Sequence, residues 1–250
     1  MCNYYTMDEY QNLSVDYDAL QPKEEIFKQE PFFKKLIEKY SIKTCLDCAC
    51  GTGWHLFMLN KLGLKCVGSD LSDGMLEKAH KNLKGLSIAL KNENFRTLSK
   101  SWKEKFDIII CMTTSFPHNA NEKEAVQTLK SMYNCLNDDG IVVIDDGFAD
   151  SFFKAKPKFI PARIHKDQAF YFFLEYPNSE KVVFNILNIK KTPTGFNQAF
   201  ESLEYLALGK KEFENFFSKT DFDKVDYYGD YDFTKYSKDS SKRMVVIAQK

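Results

Sequence analysis

Between Thr44 and Asp146 short apolar runs alternate with longer amphipathic stretches, the pattern of a parallel sheet whose strands are joined by crossover helices. The runs predict strands near 44–49, 65–70, 86–91, 106–111 and 140–146, and the stretches between them predict helices near 54–62, 73–83 and 122–136. Ser72, Asp73 and Asn121 stand close to helix starts, where their side chains can accept from free backbone N–H groups. Ahead of this core, Phe32, Phe33, Leu36, Ile37 and Tyr40 recur at helical spacing and predict a lead-in helix over 24–40. Beyond Asp146 the period drops to two. Residues 169–175, 182–190 and 196–208 read as antiparallel strands, punctuated by Pro157, Pro161, Pro177 and Pro193. A helix over 210–219 and strands at 222–228 and 244–248 return the chain to the sheet.

The fold class expected is α/β: a Rossmann-like, seven-stranded, mostly parallel sheet with helices on both faces and an inserted antiparallel β lid. One domain is expected over 1–250. It divides into a helical cover at 1–43, a cofactor-binding core at 44–149, a β-rich substrate lid at 150–209 and a return to the sheet at 210–250. With 44% apolar residues the chain can bury one substantial core. Thirty-five basic and thirty-five acidic residues cancel, so no net field draws the chain to a nucleic-acid backbone or an anionic membrane, and a small-molecule partner is expected. The N-terminus lacks a leader pattern and no apolar run reaches the ~20 residues of a membrane span, which predicts a cytoplasmic protein. Seven scattered cysteines predict reduced thiols. Cys45, Cys48 and Cys50 share one short strand, alternate faces and lack an evident fourth ligand, so no metal site is expected.

The chemistry concentrates where the first strand runs into Cys50-Gly51-Thr52-Gly53 and then a helix. Glycines at 51 and 53 admit positive φ and let a ligand approach the backbone with no Cβ in the way. Nineteen residues after Gly51 the second strand ends in Asp70, where a carboxylate can accept from both hydroxyls of a ribose. The fingerprint of a dinucleotide site needs a third glycine at 56, and that position is Leu56. One nucleoside is therefore expected at the strand ends, and NAD is not.

Three stretches carry a family likeness: Leu46-Asp47-Cys48-Ala49-Cys50-Gly51-Thr52-Gly53, Ser69-Asp70-Leu71-Ser72-Asp73-Gly74-Met75-Leu76, and Phe106-Asp107-Ile108-Ile109-Ile110-Cys111 with Ser115-Phe116-Pro117-His118. They resemble class I S-adenosylmethionine-dependent methyltransferases, in particular the glycine N-methyltransferase-like group, over most of residues 44–148. Gly229-Asp230-Tyr231 and the closing strand are similar to that group's C-terminus. The resemblance implies S-adenosylmethionine as cofactor. Asp47, Ala49, Cys50, Gly51 and Gly53 would surround its methionine part, Asp70 would take the ribose, and Leu71 and Met75 would flank the adenine. Asn94 and Phe95 match the adenine-edge position, and Met112 opens the loop below the sulfonium. Where the group supplies a basic residue to the cofactor carboxylate, this chain offers Lys23 and Lys28 beside Glu24 and Glu25.

Methyl transfer from a sulfonium needs orientation more than a base. His118, near neutral pKa in its ordinary state, is the candidate base, and its alternative role is to fasten the loop beside Pro117. Asp145 and Asp146 close the fifth strand, and one of them is expected to touch substrate or cofactor. Tyr17 resembles the aromatic residue that closes over the cofactor in the group. Arg163, His165, Tyr171, Glu204 and Tyr205 are the substrate candidates on the lid. A glycine acceptor needs an arginine fork on its carboxylate, whereas the strand expected to face the pocket carries Glu201, Ser202, Glu204 and Tyr205. The acceptor expected is a small polar metabolite methylated on N or O, with phosphorylated or sugar- and nucleotide-linked surface-glycan precursors among the options. A protein or RNA methyltransferase, a glycine/sarcosine-type enzyme and a non-catalytic cofactor-binding regulator are the alternatives. Cys111-Met112-Thr113-Thr114-Ser115-Phe116-Pro117 lacks the Asn/Asp-Pro-Pro-aromatic motif of base methylation.

Overall fold

Among the described residues, three α-helices precede the sheet: α1 (Tyr17–Leu20), α2 (Lys23–Phe27) and α3 (Glu30–Tyr40). The computed structural model describes residues 10–250. The single helix expected over 24–40 is interrupted because Pro31, in the first turn of α3, lacks an N–H and its ring would strike the carbonyl of Phe27 in a continuous helix. The face of α3 carrying Phe32, Phe33 and Leu36 is buried, at about 1.5–3 kcal/mol per large apolar side chain.

The core then alternates strands and helices: β1 (Thr44–Asp47), α4 (Trp54–Lys61), β2 (Lys65–Asp70), α5 (Asp73–Asn82), β3 (Ala89–Asn92), α6 (Leu98–Ser101), β4 (Phe106–Cys111), α7 (Glu122–Cys135) and β5 (Leu136–Asp146), each near its expected place except the short α6, which was not expected. Ser72 caps α5 by accepting from Met75 N–H at 3.2 Å, and Asn121 caps α7 by accepting from Glu124 N–H at 3.1 Å. The third strand starts later than 86 because the chain turns through Gly85, at φ 88°, before it can extend. After α8 (Asp150–Ala155) come β6 (Phe159–His165), β7 (Gln168–Glu175), β8 (Lys181–Thr192) and β9 (Gly195–Leu206); α9 (Lys210–Phe217), β10 (Lys224–Tyr228) and β11 (Met244–Gln249) follow. Neither α8 nor β6 was expected. The prolines that read as punctuation do not prevent β6, because it is an edge strand and Pro161 falls where its register shifts between Ile160 and Arg163.

The main sheet has the order β10-β11-β5-β4-β1-β2-β3, with β11 the antiparallel member between β10 and β5. Its central strands are apolar on both faces: Ile109 and Val142 enter the cluster under α6, α7 and α9, while Ile108 and Val143 enter the one under α3, α4 and α5. The second sheet, β6-β7-β8-β9, is wholly antiparallel. Its inner face carries Phe170, Phe172, Leu174, Ile186 and Leu203 into a third cluster with Phe148 and Leu13. No helix among the described residues is long and apolar enough to cross a membrane.

Candidate functional site

The carboxyl ends of β1 and β2 are tied together by one turn. Cys50 N–H donates to Ser69 O at 2.9 Å, and Gly51 N–H donates to Asp70 Oδ2 at 2.8 Å. Gly51 and Gly53 both adopt left-handed conformations, at φ 51° and 88°. A Cβ on Gly53 would press on Leu83 at 3.0 Å, whereas one on Gly51 would meet only Tyr17 Cε1 at 4.0 Å. Gly51 therefore leaves an open cradle with the Tyr17 ring as its roof. Asp70 also accepts from Ser72 N–H through Oδ1 at 3.0 Å, which holds the carboxylate rigidly at the strand end.

Leu56 has its own reason for replacing a third glycine. It is fully buried, and a Cβ on Gly68 of β2 would come within 2.5 Å of its Cδ1. Helix α4 thus packs on the sheet through a leucine on the helix and a glycine on the strand, the reverse of the dinucleotide arrangement.

Asp47 supplies the test of whether the cradle fits a cationic nucleoside. Its Oδ1 accepts a long bond from Ala49 N–H at 3.3 Å, but its buried Oδ2 has no partner. Burial, reinforced by the charge of Asp70, pushes its carboxyl up to about 8. An unpartnered buried carboxylate oxygen beside an open turn is suited to a positive charge, and S-adenosylmethionine carries two, an ammonium and a sulfonium. Leu71, which follows Asp70, is 63% exposed. Met75 and Met112 are buried, Phe95 is half-buried, and Asn94 caps the turn after β3 by accepting from Arg96 N–H; none of the four lines either cavity described below.

Asp47 also has a consequence for stability. Folding raises its pKa, so the folded protein holds a proton that the unfolded chain releases, and stability falls as pH rises from the ordinary carboxylate range to about 8. Burial moves His55 and His118 the other way, down to about 4, which makes stability rise with pH only up to the ordinary histidine range. Between about pH 6.5 and 8 the carboxylate effect stands clear of the histidines. The melting temperature of unliganded protein should fall across this window, and Asp47→Asn should flatten the slope. An identical slope in the variant would show that Asp47 is ionised throughout.

Beside the cradle lies a chamber of about 980 Å³ between the ends of β4 and β5, helices α1–α3, strand β6 and the segment before β11. A smaller cavity of about 320 Å³ shares Thr113, Thr114, Phe148 and Arg163 with it and adds Tyr10, Tyr17 and Tyr205. Thr113 and Thr114 are both left-handed, at φ 57° and 61°, a strained state for β-branched residues costing about 1–3 kcal/mol each. Asp145 holds them there: its Oδ2 accepts from Thr113 N–H at 3.3 Å and its carbonyl from Thr114 N–H at 3.1 Å. Arg243 pairs with Asp145 Oδ1 at 2.9 Å, donates to the Tyr231 hydroxyl at 2.8 Å and lies 4.7 Å from that ring's centre.

His118 lines neither cavity. Its Nε2 stands 2.7 Å from the Tyr10 hydroxyl, and its ring packs edge-on against Tyr205 with centres 4.5 Å apart. Burial keeps the imidazole neutral, so with the ring proton on Nδ1 the Tyr10 hydroxyl donates to Nε2. Of the lid candidates, Arg163 lines both cavities while donating from Nη1 to Leu20 O at 2.7 Å and Gln21 Oε1 at 2.6 Å. His165 lines the larger cavity and Tyr205 the smaller. Tyr171 and Glu204 do not belong to this group. Side chains alternate along a strand, so with Phe170, Phe172, Leu203 and Tyr205 inward these two face out: Tyr171 is 41% exposed and Glu204 is ion-paired with Lys181. Glu201 shares the parity of Leu203 and Tyr205 but lines neither cavity. Tyr10 and Arg243 were not identified from the sequence, where nothing local marks them, and Tyr231 stood there only as part of the Gly229-Asp230-Tyr231 likeness, with no role in the site.

This fold, with a glycine cradle and an acid closing the second strand, is that of a class I S-adenosylmethionine-dependent methyltransferase. Residues 45–140 match the family model of a methyltransferase domain. The chain is 28% identical over 98% of its length to a glycine/sarcosine/dimethylglycine N-methyltransferase of Actinopolyspora halophila, covering 43% of that protein. It spans about half the length of the curated relatives it matches. Among solved structures, an S-adenosylmethionine-dependent methyltransferase from Clostridium acetobutylicum superposes with a TM-score of 0.82 at 19% identity, over 96% of this chain and 98% of that one. A sugar N-methyltransferase from Streptoalloteichus superposes with a TM-score of 0.68 at 15% identity, over 93% and 86%.

Proposed function

We propose that the protein transfers a methyl group from S-adenosylmethionine to nitrogen or oxygen of a small polar acceptor larger than glycine, of the size of an amino sugar or a nucleotide-linked sugar. The observation that carries the reading is the chamber of about 980 Å³ at the ends of β4 and β5. Cavities of this scale enclose drug-sized ligands, and glycine would leave most of it filled with water. The resemblance to glycine/sarcosine enzymes supports the chemistry, and the likeness to a sugar N-methyltransferase agrees with the chamber's size.

Asp47, the Gly51 cradle and Asp70 would hold the cofactor, with Tyr17 excluding water above it. When bound, the cofactor supplies an electrophilic methyl on a good leaving group. The chain's own task is orientation, worth up to roughly 7–11 kcal/mol of barrier. Thr113 and Thr114, fixed by Asp145, form the wall against which the acceptor is positioned. The Tyr10 hydroxyl, its proton directed at His118 Nε2, turns its oxygen lone pairs toward an acceptor N–H or O–H. The proton lost by the acceptor then leaves to water, since burial holds the pKa of the His118 imidazole down at about 4 and makes it a weak base, so that the Tyr10–His118 pair orients the acceptor and does not take its proton. Arg163 and His165 line the wall that an anionic part of the acceptor would approach, as in a phosphorylated or nucleotide-linked sugar.

Calorimetry should show binding of S-adenosylmethionine and S-adenosylhomocysteine but not of NAD or NADP. Release of S-adenosylhomocysteine should then be measured with glycine, sarcosine, glucosamine and UDP-glucosamine as acceptors. The sugar amines should turn over and glycine should be poor. Efficient turnover of glycine or sarcosine with both sugars inert overturns the acceptor assignment.

A further inference from the structure

The outer face of the second sheet carries, beside the polar Asn185 and Ser202 and the Lys181–Glu204 ion pair, an aromatic patch where a solvent-facing sheet should be polar. Straight across three strands lie Tyr171, Leu187 and Phe200, and in the adjoining row Phe159 stands beside Phe173 with ring centres 5.4 Å apart. Phe159 is 67% exposed, Phe200 58% and Tyr171 41%. These are not the backs of buried residues, since the inner face is filled by their alternating neighbours Phe170, Phe172, Ile186 and Leu203. A contiguous aromatic patch of this kind on a folded protein marks a surface that is covered in use.

We infer that the patch is covered by a second copy of this chain, the two sheets stacked face to face and head to tail about a two-fold axis through the Leu187 row. Charge and shape along β8 indicate this occupant. Four residues before Leu187, Val183 pairs with Glu204, whose charge Lys181 already balances, and with Glu175, which accepts from the Asn185 amide but meets no cation among the described residues; four residues after it, Lys191 pairs with Phe196. Lys191 has the outward parity, whereas Lys190 turns inward to Asp16 at 3.0 Å. A two-fold axis at Leu187 exchanges these ends. It brings Lys191 of each copy over Glu175 of the other, and Phe196, itself 73% exposed, over Val183. A surface whose charged ends complement each other under a two-fold rotation is the self-complementary patch that an isologous dimer requires. The face measures roughly 26 Å along β8 and roughly 19 Å across four strands at ordinary spacings. With side-chain relief added, that is the scale of the ~800 Å² that each partner covers in a standard interface. The inner face and the chamber remain clear of this contact.

Sedimentation equilibrium on the full chain tests the proposal without an acceptor. Wild-type protein should be a dimer at micromolar concentration. Tyr171→Lys/Phe200→Lys, at positions already solvent-facing, should fold with an unchanged circular dichroism spectrum while its dimer dissociation constant rises roughly tenfold or more, as for aromatic anchors at an interface centre. Glu175→Lys and Lys191→Glu should each weaken self-association by placing like charges together, and an equimolar mixture of the two should recover it. A monomeric wild type, or a dimer indifferent to the lysine pair, overturns the interface. Failure of the mixture to re-associate overturns the head-to-tail register.

Discussion

Asp70→Ala is expected to weaken cofactor binding by about 1.5–3 kcal/mol, between roughly one and two decades in dissociation constant. The loss has two parts. The carboxylate that would accept from the ribose hydroxyls is gone, and two backbone donors lose their partner: Gly51 N–H at 2.8 Å and Ser72 N–H at 3.0 Å. The second part concerns the cradle itself, because Gly51 sits in a left-handed turn whose position relative to β2 depends on that bond. Asp70→Asn separates the two parts. Its single oxygen can satisfy one N–H while its amide faces the other, so it should bind better than the alanine variant and worse than the wild type. Calorimetry with S-adenosylhomocysteine gives the affinities, and thermal melts distinguish a folded weak binder from a damaged protein. Unchanged affinity in folded Asp70→Ala would mean that the nucleoside lies elsewhere.

The motif around Asp70 was legible because its parts are local: strand, glycine turn, helix and acid lie within some twenty residues and each restricts the backbone by itself. The seven-stranded sheet was legible for the same reason, since its apolar runs are set by burial on both faces. What the sequence left open depends on long-range placement. Arg243 meets Asp145 across ninety-eight positions, and Tyr10 meets His118 across one hundred and eight; no spacing rule connects such pairs. The lid assignments went astray on parity. Glu204 and Tyr205 were both assigned to the pocket, yet adjacent strand residues face opposite ways, and only the packing of Leu203 and Tyr205 decides which is inward. The strained Thr113-Thr114 pair lay beyond reach too, because β-branched residues argue for extended backbone and the contacts that hold them otherwise come from Asp145 and Gly147, far along the chain.

The ion pair beneath that strained loop should be the most sensitive point in the site. Asp145 has a side chain only 4% exposed, so its charge depends on Arg243 at 2.9 Å and on Thr113 N–H at 3.3 Å. Arg243→Met keeps the length of the side chain and removes the charge, leaving a buried carboxylate with only the long Thr113 N–H bond and the Tyr231 hydroxyl as partners. Removing one member of a buried pair costs about 3–5 kcal/mol. Because the Arg243 side chain is 34% exposed, water can reach the gap and the lower end, about 3 kcal/mol, is the expectation. The contact with the Tyr231 ring adds a smaller loss of about 0.5–2 kcal/mol, and the apolar gain from methionine at a third-exposed position does not offset either. For a chain of this size a deficit of about 3 kcal/mol lowers the melting temperature by roughly 6–12 °C. Two companion variants identify the cause. Arg243→Met/Asp145→Asn removes the stranded charge while keeping an acceptor for Thr113 N–H, and should recover most of the loss. Arg243→Lys keeps a point charge but is shorter and loses the guanidinium plane over the Tyr231 ring, and should fall between wild type and the methionine variant. A melting temperature unchanged in Arg243→Met, or a double variant no more stable than the single one, would show that Thr113 and Thr114 hold their left-handed backbone without the ion pair.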